Sequence, residues 1–305
     1  MSAVRLDTSS HLAKNLAASV LALVGRAADV DGVEAISEAF RLALTSPHAS
    51  VTHVVAYAGE PGSRAVAGYA VRDAPGSAEL VVDPETRRQG VGRALLGELL
   101  DGGAQGVWAH GDLPAAQGLA ADTGLVSTRE LHVMSRPLSG TDAVDPPLPE
   151  GFSVRAFDPG RDEQAWLEVN GLAFASHPEQ GSITLEDLRE RMAQDWFDPA
   201  GFLLVEDTTA TSDGGGHPLA AFHWTKREPE SRTGEVYVVG VHPAYQGRGL
   251  AGPLTGLGTA HLAREGCTEV ELYVDGDNTR ALATYRRAGF EDTAIHVVYG
   301  RPSAP

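Results

Sequence analysis

The clearest candidate for chemistry in this sequence is the glycine-rich turn of VHPAYQGRGLAGPL, residues 241–254, between an apolar run and a predicted helix. The first turn of a helix leaves four backbone N–H groups without intrahelical partners and carries the positive end of the helix dipole. Gly247 and Gly249 have no side chain to keep a bulky anion away from these donors. The turn is therefore a candidate phosphate site, with Gln246 and Arg248 as candidate side-chain ligands.

Two common phosphate motifs do not account for this turn. A dinucleotide fingerprint needs G-x-G-x-x-G with an acidic residue after the next strand, and a P-loop needs G-K-[ST] after its glycines. Neither pattern is present. The other glycine run, residues 214–216, lacks the strand-to-helix context of a phosphate loop, so it is predicted to be a flexible hairpin tip.

The turn occurs twice, and its surroundings are duplicated as well. VDPETRRQGVGRALL, residues 82–96, repeats it. The repeated turn starts at Arg87, three residues after Pro84, just as Gln246 lies three residues after Pro243. Predicted strands and helices have the same order around both turns, with a Pro-, Gly- and Ser-rich stretch between the halves. The sequence predicts an α/β protein with two tandem domains, 1–138 and 151–305, joined by a linker, 139–150. Each is expected to have a mixed, mostly antiparallel sheet flanked by helices.

Composition narrows the class of protein. The chain has 305 residues and a net charge of -17, which argues against a nucleic-acid or anionic-membrane partner. Cys267 is the only cysteine, so no intrachain disulfide and no cysteine-rich metal site is expected. Apolar residues recur at helical spacing over 12–24, which predicts an amphipathic helix rather than a signal peptide. We therefore expect a cytoplasmic, monomeric protein with a small-molecule substrate and no metal.

The second turn has further companions that identify its family. The strand EVYVVGV and Pro243 precede it, and Asn278, Tyr285 and Gly289-Phe290 follow about forty residues later. Together these residues resemble the acyl-CoA-binding core of the GNAT N-acetyltransferase superfamily. The resemblance covers nearly all of both halves and implies two tandem GNAT-type domains with acetyl-CoA as cosubstrate.

By this resemblance, the acetyl-CoA contacts come from the strand, the turn and the later helix. In the second half they are Val239, Gly240, Val241, Gln246, Gly247, Arg248, Gly249, Leu250, Ala251, Gly252, Asn278, Thr279, Arg280, Ala281, Leu282 and Ala283. In the first half they are Leu80, Val81, Val82, Arg87, Arg88, Gln89, Gly90, Val91, Gly92 and Arg93.

Two side chains are candidates for proton transfer. The family pattern places a thiolate-protonating tyrosine at Tyr285, which could otherwise be a packing residue. Glu235 is the candidate base, since carboxylates are uncommon in apolar strands; the alternative is a surface charge at a strand end. We expect residues 235, 237, 239 and 241 to share one face, and Gly240 to allow a bulge that splays the strand. A carboxylate is a weak base for an ammonium group, so a water relay is expected.

The duplicate lacks both of these groups. With Pro84 aligned on Pro243, Glu235 corresponds to Gly76; with Gly124-Leu125 aligned on Gly289-Phe290, Tyr285 corresponds to Ala120 and Asn278 to Leu113. We infer that the second domain is catalytic and the first is not.

The acceptor follows from a narrower resemblance, to tandem family members with HPEQG, FHWTK and GEVYVVGVHP. These acetylate the cysteinyl amine of a cysteine–glucosamine–inositol conjugate. The resemblance implies acceptor contacts from Glu38, Glu179, Lys226, Glu235 and Tyr273, with Glu38 reaching across from the first half. Without it, Glu38 and Glu179 are ordinary solvated charges and Lys226 a rim charge. The alternatives are acetylation of another small amine, such as an aminoglycoside, or of a protein N-terminus, and a non-catalytic acyl-CoA sensor.

Overall fold

The computed structural model describes residues 4–46, 48–57, 65–175, 180–211 and 215–302. The chain forms two compact units. Unit 1 comprises Met1–His132, Asp275–Asp277 and Ala294–Pro305, and unit 2 comprises Val133–Val274 and Asn278–Thr293. Each has a mixed, mostly antiparallel sheet flanked by helices, so the predicted α/β class is confirmed. Within the described ranges, no helix has the length and apolar character needed to cross a membrane.

Unit 1 is built on a sheet in the order β1-β2-β3-β4-β5-β12. Its elements are β1 (Arg5–Ser9), α1 (Lys14–Asp31), α2 (Glu38–Ala43), β2 (Val51–Tyr57), β3 (Val66–Asp73), β4 (Ser77–Val82), α3 (Val91–Asp101), β5 (Gly106–Ala109), α4 (Pro114–Thr123), the start of β6 (Val126–Pro137) and the end of β12 (Glu291–Gly300). Only β4 and β5 pair in parallel among the registers seen. One apolar cluster lies under α1 and α2 and another under α3 and α4.

Unit 2 repeats this plan in the order β6-β11-β10-β9-β8-β7. Its further elements are β7 (Phe152–Ala156), α5 (Glu163–Ala173), α6 (Leu185–Met192), β8 (Phe202–Asp207), β9 (Leu219–Lys226), β10 (Thr233–Val241), α7 (Ala251–Arg264), β11 (Glu269–Asp275) and α8 (Thr279–Arg287). An aromatic-rich cluster around Trp166 and Trp224 packs on the α5–α6 face. Two aliphatic clusters, around Leu254 and Leu262, pack on the α7–α8 face.

The ends of the two halves do not follow the predicted boundaries. Residues 297–300 of β12 pair antiparallel with residues 106–109 of β5 in unit 1. Met134 and Leu138 at the end of β6 pack in a core cluster of unit 2. Periodicity identifies a strand but not its partner, so the sequence alone gave a continuous second domain.

Three further segments differ from expectation. The helical region predicted over 12–44 is two helices, because the chain turns at Gly32 with φ of 70°. Strand β1 was not predicted, since RLDTS has little apolar character, yet it pairs with β2 from Arg5↔Tyr57 to Ser9↔His53. The predicted linker is packed rather than free, for Arg264 binds Asp145 at 2.7 Å and a Cβ on Gly256 would lie 2.8 Å from Pro146 Cγ.

Helix α7 approaches the sheet very closely. A Cβ on Gly258 would lie 2.0 Å from Cε1 of His223, so only glycine leaves room for this imidazole. His223 Nδ1 lies 2.8 Å from the Leu254 carbonyl oxygen, and Nε2 is buried without a hydrogen-bond partner among the described residues. This contact fixes the distance between β9 and the helix whose N-terminus follows the glycine-rich turn.

Candidate active site

The site begins at a β-bulge in β10. Val236 pairs with Thr225 of β9 and Val238 with Trp224, so Tyr237 is an extra residue. Val236 therefore packs with Leu262 on the α7–α8 face, whereas Val238 and Tyr237 pack on the α5–α6 face. The bulge was expected at Gly240 and lies three residues earlier, where the sequence has no glycine to mark it.

The bulge changes which side chains share a face. Glu235 pairs with Lys226, which lies among the aromatic residues of the α5–α6 face. Val239 and Val241 instead pack with Leu250 and Leu254 on the α7–α8 face. The expectation that residues 235, 237, 239 and 241 share one face is therefore wrong, because an extra residue reverses the alternation.

Gly240 has a packing role instead. A Cβ there would lie 2.7 Å from Cζ and 2.8 Å from Cε1 of Phe222, its cross-strand partner. It would also lie 3.3 Å from Cβ of Ala173 at the end of α5. Glycine therefore lets an aromatic ring close over the strand at this point.

Strands β10 and β11 part after Val236. Their parallel pairing covers Thr233–Val236 and Glu269–Leu272. Residues 238–241 of β10 pair only with β9 in the registers seen. The edge of β10 that faces away from β9 is thus open over these residues, and its backbone groups are accessible to a ligand in extended conformation.

The predicted turn has the geometry that its glycines suggested. A short 3₁₀ helix, Pro243–Tyr245, leads into Gly247 and Gly249, which have φ of 80° and 81°, and α7 starts at Ala251. Unit 1 repeats it, with Pro84–Thr86 before Arg88 and Gly90 at φ of 64° and 91° and α3 starting at Val91. Both turns thus aim the free N–H groups of a helix start outward.

Arg248 stacks on the turn rather than pointing into its centre. Its guanidinium carbon lies 4.7 Å from the Tyr245 ring centroid, and its Nη1 lies 3.8 Å from Asp207 Oδ2. Burial, and then Asp207, raise the pKa of the Tyr245 hydroxyl. About half of the Arg248 side chain remains exposed, so its charge stays available at the turn.

A cleft of about 570 Å³ connects the turn, the open edge of β10 and helix α8. Its walls are formed by Ala173, Phe174, Val239, Gly240, Val241, Tyr245, Gln246, Gly247, Gly249, Leu250, Ala251, Gly252, Leu254, Thr255, Asn278, Arg280, Ala281, Thr284 and Tyr285. Most residues predicted to contact acetyl-CoA in this half are on these walls, whereas Leu282 packs in the core. Phe174, Tyr245, Leu254, Thr255 and Thr284 were not predicted, because nothing in their local sequence distinguishes them from ordinary helix or loop residues.

Tyr285 is one of the residues that line this cleft. Its ring meets Phe290 edge-on at 5.9 Å between centroids. Burial raises the pKa of its hydroxyl to about 12. The Tyr285 hydroxyl therefore keeps its proton at any physiological pH, so it can enter a reaction only as a proton donor.

Glu235 stands in a row of ionisable side chains that crosses three strands. Its register partners are Lys226 on β9 and Glu271 on β11. The Lys226 ammonium lies 5.0 Å from the Trp196 ring centroid and 3.1 Å from Glu228 Oε1. Burial raises the pKa of the Glu271 carboxyl, Glu269 adds to this, and Lys226 opposes it. An ammonium donor and two carboxylates suit a substrate that carries both hydroxyl and amine groups.

The remaining predicted acceptor residues lie elsewhere. Tyr273, on the same face of β11 as Glu271, is 43% exposed. Glu38 is the half-buried first residue of α2 in unit 1. Glu179 lies outside the described residues.

Unit 1 lacks the proton-transfer groups at the matching places. Gly76 has φ of 102° and lies against Gln105, and Ala120 is buried in α4. Arg87 binds both carboxylate oxygens of Asp31, at 2.8 and 2.7 Å, which occupies its donors. The turn of unit 1 thus offers chiefly backbone N–H groups to an anion.

Comparison with known proteins shows which family the region around this site resembles. The profile of the Acetyltransferase (GNAT) family matches residues 166–290, which include β10, the turn, α7 and α8. A tandem GNAT protein from the clavulanic acid biosynthesis pathway has the same fold, with a TM-score of 0.71, 17% identity and 99% of each chain covered. A GCN5-related N-acetyltransferase from Sphaerobacter thermophilus aligns with a TM-score of 0.63 and 24% identity over 98% of this chain and 97% of its own. The fold and the site thus define an acetyltransferase of the GNAT class, which uses acetyl-CoA.

Sequence relatives are more specific. The mycothiol acetyltransferase of Streptomyces bingchenggensis is 46% identical over 97% of this chain and 96% of its own. That of Kytococcus sedentarius is 46% identical over 92% of both chains. The chain belongs to the mycothiol acetyltransferase family.

Proposed function

We propose that this protein transfers the acetyl group of acetyl-CoA to the cysteinyl amine of a cysteine–glucosamine–inositol conjugate, the last step of mycothiol biosynthesis. The observation that carries the proposal is the 46% identity to a mycothiol acetyltransferase over 97% of the chain, which spans both units. Unit 2 is proposed to perform the reaction, and unit 1 to be non-catalytic, because Gly76 and Ala120 stand where Glu235 and Tyr285 would be needed.

Acetyl-CoA is proposed to bind along the cleft of unit 2. Among the described residues, no atom beyond the two chain neighbours lies within 4 Å of a Cβ placed on Gly247, so a phosphate can approach the backbone N–H groups at the start of α7. The amide-containing arm of CoA suits the open edge of β10 at residues 238–241, where an extended chain can pair with backbone groups. In unit 1, the proposed contacts are the backbone of Leu80–Val82 and of Gly90–Gly92 together with Arg88, Gln89 and Arg93, whereas the Arg87 side chain is held by Asp31.

The reaction needs three events, and each has a proposed residue. The acceptor ammonium loses a proton to Glu235. Because Val239 lies four positions after Glu235 along the strand, roughly 13 Å at 3.3 Å per residue, this proton is relayed through water. The free amine attacks the thioester carbonyl, a carbon–nitrogen bond forms, and the Val239 N–H stabilises the developing oxyanion. The carbon–sulfur bond then breaks and Tyr285 gives its proton to the departing CoA thiolate. The second proton of the attacking nitrogen passes through water to the Tyr285 oxygen, which leaves a neutral amide and restores the hydroxyl, and Glu235 releases the first proton to solvent.

The acceptor contacts are proposed to come from Lys226, Tyr273 and Glu235 in unit 2, together with Glu38 in unit 1 and Glu179. Sugar and inositol hydroxyls are costly to leave unpaired when buried, so several polar partners are required. Lys226 can donate to hydroxyl oxygens, while the carboxylates can accept from hydroxyl or ammonium groups.

The experiment is an acetylation assay with three acceptors at equal concentration: the cysteinyl conjugate, the same conjugate without its cysteine, and an aminoglycoside. Product is quantified by mass spectrometry, because the acceptor thiol reacts with the reagents that detect free CoA. We expect kcat/KM to be at least a hundredfold higher for the cysteinyl conjugate. Equal rates for all three acceptors would favour a general small-amine acetyltransferase, and binding of acetyl-CoA without turnover would favour a sensor.

A further inference from the structure

A buried carboxylate in unit 1 holds the start of α2. Oε2 of Glu79 accepts a hydrogen bond of 2.7 Å from the backbone N–H of Ser37, which directly precedes Glu38. Oε1 of the same carboxylate lies 3.0 Å from Nε2 of His110. Glu79 is only 2% exposed, so these two contacts replace its hydration.

The sheet itself does not require a carboxylate at this place. Glu79 lies in β4 where the duplicated sequence has Val238, which packs in an apolar cluster. Burying a charged side chain costs free energy that only good partners offset. An apolar side chain would therefore suit the sheet at this position, and what Glu79 adds is its contacts with Ser37 and His110.

The chain between α1 and α2 is held on a second side as well. A Cβ on Gly111 would lie 3.2 Å from Cγ1 of Val33, in this connection. The N–H of Gly111 donates to Nδ1 of His296 at 2.8 Å, and the His296 ring meets the His110 ring edge-on at 4.8 Å. His110 thus lies between the Glu79 carboxylate and the turn at Gly111, which is itself held by His296.

We propose that Glu79 and His110 are positioning residues for Glu38. They fix the backbone at Ser37 and with it the direction in which the Glu38 carboxylate leaves the helix. This inference rests on the proposed function, in which Glu38 binds the acceptor. Neither Glu79 nor His110 touches the acceptor or acetyl-CoA, so their loss acts on acceptor binding and leaves the chemistry at Glu235 and Tyr285 unchanged.

The test uses Glu79→Val, which introduces the residue type of the duplicate, in the full-length protein. We expect KM for the cysteinyl conjugate to rise about tenfold, because an unsatisfied Ser37 N–H lets the helix start shift. KM for acetyl-CoA and kcat are expected to stay within about twofold. Glu79→Gln, which keeps one acceptor oxygen for Ser37, should raise the acceptor KM less.

Asp83→Asn is the matched control. Asp83 is another buried carboxylate of unit 1, paired with Arg26, but it does not contact the start of α2. A merely structural role for Glu79 would give Glu79→Val and Asp83→Asn the same kinetic profile, and that result would overturn the inference. If Glu79→Val does not fold, Glu79→Gln and hydrogen exchange decide the question: exchange of residues 36–43 must rise in Glu79→Gln and not in Asp83→Asn.

A double mutant separates this inference from the proposed function. Glu38→Gln should raise the acceptor KM, and adding Glu79→Val should raise it no further. If Glu38→Gln has no effect on the acceptor KM, the proposed role of Glu38 is wrong. If Glu38→Gln raises it and Glu79→Val alone does not, the positioning role of Glu79 is wrong while the proposed function stands.

Discussion

Glu235 and Lys226 are cross-strand partners, and the bulge at Tyr237 places them on the α5–α6 face of the sheet while Val239 faces α7. The candidate base is therefore separated from the proposed acyl-binding edge by the thickness of the strand. A proton can pass between them through water around the open edge of β10, where pairing with β11 ends at Val236.

Glu235→Gln tests the proposed base. Removing a positioned general base lowers turnover by roughly 10²–10⁴-fold, and we expect a loss in this range. Glu269→Gln is the control. Glu269 is an exposed carboxylate on β11, two residues before Glu271, and it accepts a hydrogen bond from the Ser135 hydroxyl. A Glu235→Gln enzyme that keeps more than a tenth of wild-type turnover would rule out Glu235 as the base.

Tyr285→Phe tests the proposed acid. The loss of one positioned proton donor should lower kcat about 10²-fold, while the Kd for acetyl-CoA changes little, since the ring still packs against Phe290. Burial raises the pKa of Tyr285 to about 12, so the hydroxyl stays protonated below about pH 11. An alkaline limb in the wild-type rate below that pH must therefore survive in Tyr285→Phe, which stopped-flow or steady-state rates across pH can show.

Tyr299→Phe serves as the control for that change. This hydroxyl in unit 1 also has its pKa raised to about 12, by burial and by its hydrogen bond to Asp112. It does not line the cleft of unit 2. Equal loss of kcat in both variants would mean that the Tyr285 effect reflects stability rather than proton transfer.

The glycine-rich turn could be predicted from sequence because backbone conformation selects residue type there. Gly247 and Gly249 both have positive φ, which costs other residues free energy. Their spacing after an apolar strand and before a helix thus carried geometric information. The duplicate could be aligned on the same grounds, although Arg88 adopts the left-handed conformation without being glycine.

The bulge and the exchange of end strands could not be predicted in this way. Tyr237 is an ordinary strand residue, and nothing in EVYVVGV shows that the register shifts there. Gly240 was predicted to allow a bulge, whereas its lack of a side chain makes room for Phe222 on another strand. Both features depend on partners distant in sequence, as does the pairing of β12 with β5.

Gly249→Ala tests the phosphate site against a control glycine beyond the other end of α7. Gly249 and Gly266 flank α7 and have φ of 81° and 85°, so alanine costs about 1–2 kcal/mol of backbone strain at either position. Only Gly249 lies on the cleft. We expect both variants to lose similar stability by urea unfolding, and only Gly249→Ala to raise the Kd for acetyl-CoA, about tenfold by calorimetry. Equal affinities in the two variants would contradict the proposed role of the turn.

His223 makes the stability of unit 2 depend on pH. Burial lowers its pKa to about 4, His261 adds to this, and the hydrogen bond to Leu254 opposes it. A histidine with a lowered folded pKa binds its proton more readily when unfolded. Its stabilising effect is therefore complete above about pH 6.5 and is lost as the pH falls toward 4. The loss at pH 5 is about 2 kcal/mol.

His223→Asn isolates this effect, because the amide can still donate to the Leu254 carbonyl but does not titrate. The smaller side chain should cost about 1–3 kcal/mol at every pH. The difference in unfolding free energy between pH 7.5 and pH 5 should shrink by about 2 kcal/mol, whereas exposed His217→Asn should leave it unchanged. Urea titrations followed by tryptophan fluorescence report mainly on unit 2, which holds three of the four tryptophans, Trp166, Trp196 and Trp224. His296 is another histidine whose pKa burial lowers to about 4, and it lies in unit 1. Because His296 is present in every variant, subtracting the wild-type pH dependence cancels its contribution.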